Sequence, residues 1–360
     1  MELEAQQQII RVLAMPELEV LAVMPDVHAG YDLCIGGVAL MRGVISPSFV
    51  GYDIGCGMCH VNTGLSLHDL GLTRPKDREK LFGRLREVIP AGLGGKGGTA
   101  SDFVFRSASG DKQLDKKVEP FVYAQLATLG SGNHFLEVGE NSRGEIGVTI
   151  HSGSRRVGYD IASWYMRKGR LLPLSGDMGR AYLADMLWAQ DFALENRRLM
   201  LRAALLAMRL SESGVRKLLA PDSPGVTSPM VNENHNHAVP QDGDLILHRK
   251  GATPADKGRL GVIPANQRDG VWVTRGLGNE KFLCSASHGA GRRLSRKAAA
   301  KKGTVAELKK LMHGVVCRTD KDVLDEAPWA YKRIDEVLAA QDGILVDVID
   351  HFKPLIVLKG

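Results

Sequence analysis

The decapeptide GYDIGCGMCH, residues 51–60, restricts this chain more than any other stretch. Its last five residues, Cys56-Gly57-Met58-Cys59-His60, spell C-x-x-C-H, the string that attaches c-type haem. The same decapeptide carries Asp53-x-x-Cys56, a carboxylate and a thiol set among glycines. Both readings imply a metal, and they lead to unrelated proteins.

Cysteine usage and the opening residues separate the two. Covalent haem is attached after export, whereas MELEAQQQII begins acidic and polar, without the basic n-region and apolar h-region of a secretory signal. No run of roughly 18 apolar residues occurs, so neither a membrane span nor a membrane partner is expected. Five cysteines, at 34, 56, 59, 284 and 317, form an odd, sparse set suited to a reducing cytosol, where thiols serve as ligands or core residues. A cytoplasmic protein is expected, and the haem reading fails. A thioredoxin-like C-x-x-C fails too, because the motif is not on a strand-to-helix turn of a βαβ unit. The formal charge of +6 and pI near 9.0 allow a polyanionic partner without requiring one.

At 360 residues, 44% of them hydrophobic, the chain can bury a substantial core. Residues 3–14 predict an opening helix with Ile9, Ile10 and Leu13 on one face. A strand is expected at 19–24, a glycine-rich loop at 25–37, and short strands in VALMRGV (38–44) and PSFVGYDI (47–54). Asp26, His28, Asp53 and Cys56 then stand at strand ends or in loops, where the backbone can hold ligands firmly. Residues 76–89 predict an amphipathic helix and 90–102 a flexible loop. Its Gly95-Lys96 is not a P-loop, because Gly97 stands where Ser or Thr would hold magnesium. LGSGNHFLEVG (129–139) and IGVTIHSGSRRVG (146–158) each set a histidine beside glycines at a strand edge, and 178–219 reads as mostly helical. Strands in DLILHRK and GVWVTRG, helices near 290–302, 304–312 and 330–340, and strands ILVDVID and LIVLKG complete the pattern. Without a repeat, a linker or a composition break, the expected fold is α+β, a single large domain over 1–360 with packed β-sheets flanked by helices.

Five glycine- or asparagine-rich contexts hold histidines: VHAG (His28), GNHF (His134), IHSG (His151), NENHNHA (His235 and His237) and SHGAGR (His288). One such histidine alone is more often a surface or hydrogen-bonded core residue. Together with Asp53 and Cys56, they make a mixed nitrogen, oxygen and sulfur set suited to a first-row divalent ion. A thiolate, three imidazoles and a carboxylate exceed the four ligands of one zinc. A thiolate sulfur can bridge two metals, so a dinuclear site sharing Cys56 is the economical reading.

Taken in order, MPDVHAGYDLCIGG, VGYDIGCGM, LGSGNHFLEV, IHSGSR, HRKGA, GLGNE, SHGAGRRLSR and the terminal VLKG resemble the RtcB family of RNA ligases, from about Glu17 to Gly360. The resemblance implies an RtcB-like domain with a central metal and nucleotide cleft. It implies an enzyme that joins an RNA 3′-phosphate or 2′,3′-cyclic phosphate to a 5′-hydroxyl, in RNA repair or tRNA maturation, with GTP and two manganese ions. By the same resemblance Asp53, Cys56 and His134 hold one metal, and Cys56, His151 and His235 the second. His288 is the nucleophile that becomes guanylylated. Asn133, Glu137, Asn236, Gly289, Tyr331 and Lys359 contact the nucleotide, Lys359 at guanine and Tyr331 by stacking on it. Arg155 contacts an RNA phosphate, and Asp26 is a support residue on the RNA-binding side.

Three departures from the family pattern bear on these expectations. The family's Gly-Ser-Met-Gly nucleotide loop is replaced after Pro264 by Ala265-Asn266-Gln267-Arg268, which removes a hydroxyl and two flexible residues and puts the GTP preference in question. Arg156 stands where glycine is usual, adding charge near the expected RNA path. The chain is also shorter before MPDVH and in its middle. The run GRRLSRKAAAKK (291–302) sets six basic residues on an expected helix, as a solvated face or a track for RNA phosphates. From the residues alone Trp329 and Tyr331 read as core residues, with stacking on guanine the alternative for Tyr331 that the resemblance implies. Cys34, Cys284 and Cys317 also read as core, while Cys59 and His60 read as ordinary strand residues. A dinuclear-metal phosphoesterase acting on RNA ends and a non-catalytic RNA-binding paralogue stand as alternatives, and no activating protein partner is identifiable.

Overall fold

A computed structural model describes residues 1–92, 97, 110–220 and 230–360. Its larger sheet runs in the order Leu260–Pro264, Val271–Gly276, Val346–Lys359, Phe135–Glu140, Glu145–Ser152, Gly57–Ser66 and Val231–Asn234, each antiparallel to its neighbour. The short Val316–Cys317 lies parallel against Val346–Lys359. The sheet curls until its two ends meet, where Arg259 donates from Nε and Nη2 to the Glu233 carboxylate at 2.8 Å each. Met58, Val231, Val262, Val271, Val273 and Phe352 fill the inside of the curl.

Period-two alternation builds this sheet. On Glu145–Ser152, Ile146, Val148 and Ile150 pack outward against Met200, Leu201 and Ala204 of the helix Asp177–Ala207. Between them, Gly147 and Thr149 face inward toward His60 and Phe352. The helix supplies its half of the contact because its apolar residues recur three and four apart. Each fully buried Leu, Ile or Phe in this seam contributes about 1.5–3 kcal/mol. A second sheet, Leu18–His28, Ile35–Arg42, Leu245–Lys250 and Asn236–Pro240, stands beside the first. The chain passes between the two sheets at His235, directly after Val231–Asn234 and before Asn236–Pro240.

Several elements differ from expectation, each for a local reason. Residues 47–54 are not a strand: Pro47–Val50 makes a single helical turn, started by a proline whose fixed φ suits that position. The glycine-rich loop is shorter than 25–37, since one strand runs to His28 and the next starts at Ile35. The opening helix, Leu3–Leu13, buries Ala5, Gln8 and Val12, leaving Ile10 and Leu13 exposed. Gln8 is inside because its amide clamps Gly30 through both backbone groups, at 2.6 and 3.0 Å. The helix expected from 290 begins only at Arg296, capped by Ser295. The two terminal strands are one, Val346–Lys359, with a register shift beside Pro354, which has no N–H for the ladder. Helices Lys112–Gln125 and Arg155–Met166 were not legible as separate elements. Cys34 is buried as expected, but Cys284 and Cys317 are only partly so. Gly95-Lys96 lies outside the described residues. Among the described residues, no helix is long and apolar enough to cross a membrane.

Candidate functional site

Antiparallel order brings the candidate donors together. Where strands alternate in direction, the start of one lies beside the end of the next. Cys56 directly precedes Gly57–Ser66, His151 is the penultimate residue of Glu145–Ser152, His134 directly precedes Phe135–Glu140, and His235 directly follows Val231–Asn234. These strands are neighbours, with Met58 opposite His151, Phe135 opposite His151 and Gly57 opposite Asn234. Four donors distant in sequence therefore share one edge. Two glycines are sterically required there. A Cβ on Gly57 would stand 2.1 Å from the Glu233 carbonyl oxygen, and one on Gly153 would stand 2.2 Å from Oδ1 of Asp53.

The donors form two triads that share the Cys56 sulfur. Asp53, Cys56 and His134 make one, and Cys56, His151 and His235 the other, the donor atoms of each lying within 4.8 Å of one another. Sγ of Cys56 is 3.5 Å from Nε2 of His134 and 3.2 Å from Nε2 of His151. His134 Nε2 meets Asp53 Oδ2 at 2.9 Å, and the Nε2 atoms of His151 and His235 are 3.4 Å apart. Both imidazoles flanking the sulfur are turned by their far nitrogens: Nδ1 of His134 donates to the Leu129 carbonyl at 3.0 Å, and Nδ1 of His151 to the Asn133 carbonyl at 3.2 Å. Their Nε2 atoms therefore face the same space as the sulfur, as ligands of a shared ion must.

The electrostatics suit cation capture. Burial pushes the Cys56 thiol well above its ordinary value, and the Asp53 carboxylate beside it pushes further. Burial, followed by the surrounding imidazoles, drives His151 and His235 well below theirs, so both are neutral donors at pH 7. Burial alone would raise the Asp53 carboxyl, but the adjacent His134 imidazole holds it down at about 2. Borderline nitrogen and sulfur donors beside one carboxylate make a set suited to a first-row divalent ion.

Sequence reasoning missed the groups that hold this edge in place. Arg197, fully buried on the helix Asp177–Ala207, donates to the carbonyls of Gly55 and Ser152 at 2.8 Å each, and to Oδ1 of Asn234 at 2.7 Å and of Asn232 at 2.8 Å. Gly55, Ser152 and Asn234 are the immediate neighbours of Cys56, His151 and His235. One guanidinium thus ties three donor segments together. Asn196 beside it bonds both backbone groups of Thr128, next to the Leu129 carbonyl that His134 uses, and the Gly153 carbonyl. The only signal in the sequence was a pair of polar residues within an apolar helical pattern.

His288 stands beside the second triad, its ring centroid 4.8 Å from that of His235. Nδ1 of His288 lies 2.6 Å from Oδ2 of Asp26, which also accepts the His288 backbone N–H at 3.2 Å. Asp26 is wholly buried. This carboxylate, expected as a support residue on the RNA-binding side, touches His288.

A cavity of about 690 Å³ opens over these groups, lined among others by Asp53, Cys56, His151, His235, His288, Asn133, Glu137, Asn236, Gly289, Tyr331 and Lys359. Glu137 is buried, its Oε1 has no hydrogen-bond partner, and burial raises its carboxyl well above the usual range. Lys359 Nζ donates to Glu326 at 2.9 Å and to the Gly132 carbonyl at 3.2 Å, and the Tyr331 hydroxyl also donates to Glu326. Burial would raise the Glu326 carboxyl, but Lys359 first, then Tyr331, Arg296 and Arg292, hold it at about 2. Glu326 is a third residue that the sequence did not single out, after Arg197 and Asn196. The substituted segment after Pro264 forms a turn in which Asn266 Oδ1 accepts from the backbones of Arg268 and Asp269, while Gln267 donates to the Glu326 carbonyl. Asn236 spends its side chain on the backbones of Asp53 and Gly251. Of the expected residues, Arg155 is not in the cavity wall; its guanidinium lies against Gly130 and bonds Thr128. Of the other histidines, His28 lines the cavity, and His237 is buried against Arg249. His60 and Cys59 are buried strand residues, so the C-x-x-C-H string has no common site. Arg292 and Arg296 of the basic run turn inward to Glu326 and Asp325.

The chain is 34% identical over 397 aligned positions to the RNA-splicing ligase RtcB of Escherichia coli K12, covering 100% of this chain and 95% of that one. It is 30% identical to the tRNA-splicing ligase RtcB of Pyrobaculum aerophilum, covering 94% and 87% respectively, and 30% identical to the RNA-splicing ligase RtcB of Mycobacterium tuberculosis, covering 98% and 100%. The family model described as tRNA-splicing ligase RtcB matches residues 8–116 and 105–360, and the chain belongs to the RtcB family.

Proposed function

We propose that this protein is an RNA ligase that uses GTP and manganese to join an RNA 3′-phosphate, or a 2′,3′-cyclic phosphate once water has opened it, to a 5′-hydroxyl. The observation that carries the reading is His288. Its Nδ1–H is committed to Asp26, so the Nε2 lone pair is the free nucleophile, and the ring stands against the Cys56, His151 and His235 triad. A held imidazole of this kind also serves as a general base in hydrolysis, so labelling by GTP is the test that separates the ligase from a simple phosphoesterase.

Asp53, Cys56 and His134 would hold one ion, and Cys56, His151 and His235 the other. Bound there, manganese would neutralise the charge that develops on phosphate oxygens during transfer. Nε2 of His288 attacks the α-phosphorus of GTP, forming a nitrogen–phosphorus bond as pyrophosphate departs. The RNA 3′-phosphate oxygen then takes the GMP, breaking that bond and making an anhydride. The 5′-hydroxyl attacks the RNA phosphorus, loses its proton, and releases GMP. Asp26 holds the imidazole at each transfer and balances the charge on its ring. Glu137, Tyr331 and Lys359, which line the same cavity, would address the base and ribose.

Incubation with α-labelled GTP and manganese tests this. A labelled protein band that disappears in His288→Ala supports the reading, and a wild-type protein that never takes the label defeats it. Repeating the labelling with each α-labelled nucleotide measures what the Ala265–Arg268 segment does to base preference.

A further inference from the structure

A line of aromatic and cationic side chains leaves the cavity wall and runs out over the helix Arg155–Met166. Tyr31 and Tyr52 line the cavity beside Asp53 and Lys250. Nζ of Lys250 lies 5.5 Å from the Tyr31 ring, Tyr31 meets Tyr52 edge-on at 5.4 Å, and Tyr52 stacks on Tyr159 at 5.2 Å with 25° between the planes. Arg156 carries the line onward, 5.5 Å over Tyr159 and 5.3 Å over Phe121. Farther along the helix Trp164 is approached by Lys168 at 4.8 Å, Lys117 at 5.6 Å and Arg167 at 5.8 Å. Positions 156, 160 and 164 fall on one helix face, and Arg156 to Trp164 spans about 12 Å.

Core packing does not explain these tyrosines, because Tyr31 is 62% and Tyr159 47% exposed. Two of the acidic groups on these segments have cations: Asp160 pairs with Arg156 at 2.8 Å, and Asp32 with Arg170 at 3.2 Å. Flat rings alternating with positive charge, continuous with a cavity, match a polyanion whose bases are free to stack. A duplex hides its base faces, and an acidic peptide would meet the cations without using the rings.

We propose that this face is a track for single-stranded RNA, with bases stacking on Tyr31 and Tyr159 and phosphates resting on Arg156, Arg167, Lys168 and Lys117 as the strand end enters the cavity. The proposal rests on the ligase reading, since it takes RNA as the substrate. It gives Arg156 a role as an aromatic-backed phosphate contact on the helix that Arg155 starts from behind the site.

The test is fluorescence anisotropy with the full chain and an unstructured, labelled RNA of about 12 nucleotides, within the range one stacking groove accommodates. Tyr31→Ala and Tyr159→Ala are expected to weaken binding by roughly 5-fold or more each, with Tyr159→Phe binding as wild type. Lys168→Ala is expected to flatten the dependence of affinity on salt. A blunt duplex of the same sequence should bind more weakly and ignore Tyr159→Ala. Unchanged binding of the single strand in both alanine variants overturns the proposal, as does a duplex or a polyglutamate peptide that binds equally well through the same tyrosines. Self-labelling of the wild-type protein with α-labelled GTP, run in parallel, judges the ligase reading separately. Label with unaffected RNA binding in the variants removes only the track, whereas tyrosine-dependent binding without label removes only the ligase chemistry.

Discussion

Oδ2 of Asp26 lies 2.6 Å from Nδ1 of His288 and 3.2 Å from its backbone nitrogen, so one buried carboxylate sets both the position and the tautomer of the imidazole. The pair joins two distant parts of the chain: Asp26 belongs to Leu18–His28, and His288 follows the short strand Ser285–Ser287. The first prediction follows from that contact. Asp26→Asn keeps the shape but replaces the anion with a neutral amide. Self-labelling by α-labelled GTP should slow by roughly 10- to 100-fold, the usual cost of losing an orienting partner, with thermal stability nearly unchanged. Labelling at the wild-type rate would show that His288 acts without Asp26.

Arg197 should matter as much as the donors it never touches directly. Arg197→Met leaves the Gly55 and Ser152 carbonyls and the Asn232 and Asn234 side chains without their buried donor. The expected cost is at least about 3 kcal/mol of folding stability, from several unsatisfied buried acceptors. Arg197→Lys should recover little, because an ammonium cannot reproduce the planar fork. Chemical denaturation with metal analysis of the purified variants measures both effects.

Two ions should bind per chain, and Cys56 should govern both. Metal analysis or calorimetric titration with manganese is expected to find two equivalents in the wild type, a loss confined to one in His134→Ala or in His235→Ala, and a loss of both in Cys56→Ala. The pH dependence has a definite sign. Burial and Asp53 keep the Cys56 thiol protonated at neutral pH, so capture of the ions must expel a proton. Affinity should therefore rise with pH, by up to about tenfold per unit, while the thiol remains protonated. A flat profile between pH 6 and 8 would speak against a sulfur bridge.

Folding stability should fall on acidification through a separate pair of groups. Burial pushes His60 and His248 each down to about 4. An unfolded imidazole titrates near ~6.5, so between about pH 6.5 and 4 the unfolded chain takes up protons that the folded chain refuses. Stability is complete above that window and is lost as pH drops through it, by at most about 1.4 kcal/mol per pH unit for each group. Urea unfolding at pH 7, 6 and 5 measures the slope, which should be shallower in His60→Gln. Unfolding midpoints independent of pH over this range would contradict the assignment.

Much of the site was legible because its chemistry is concentrated in short glycine-flanked words. Asp53 and Cys56 are three residues apart, and His134, His151, His235 and His288 each sit at a strand end or in the loop beside it, where small residues let a side chain reach forward. What could not be read was the support. Asn196 and Arg197 look like the polar side of an amphipathic helix, and only the packing of Asp177–Ala207 against the sheet turns them inward. Glu326 looks like one more surface acid, until Lys359 and Arg292 close over it from two distant segments and Tyr331 from five residues along. Ile10 and Leu13 illustrate the opposite error, an apolar stripe left in solvent while the same helix turns Gln8 inward to hold the Gly30 loop.

From its residues alone this chain declares a mixed sulfur, nitrogen and oxygen donor set, an ordered string of RtcB motifs and an alternation of strands and helices, because donor type and local periodicity are properties of neighbouring residues. Which donors share an edge, which arginine braces them, and which aromatic rings line up with which cations were settled only when antiparallel pairing and helix packing brought distant segments together, since those depend on contacts between residues far apart in the chain.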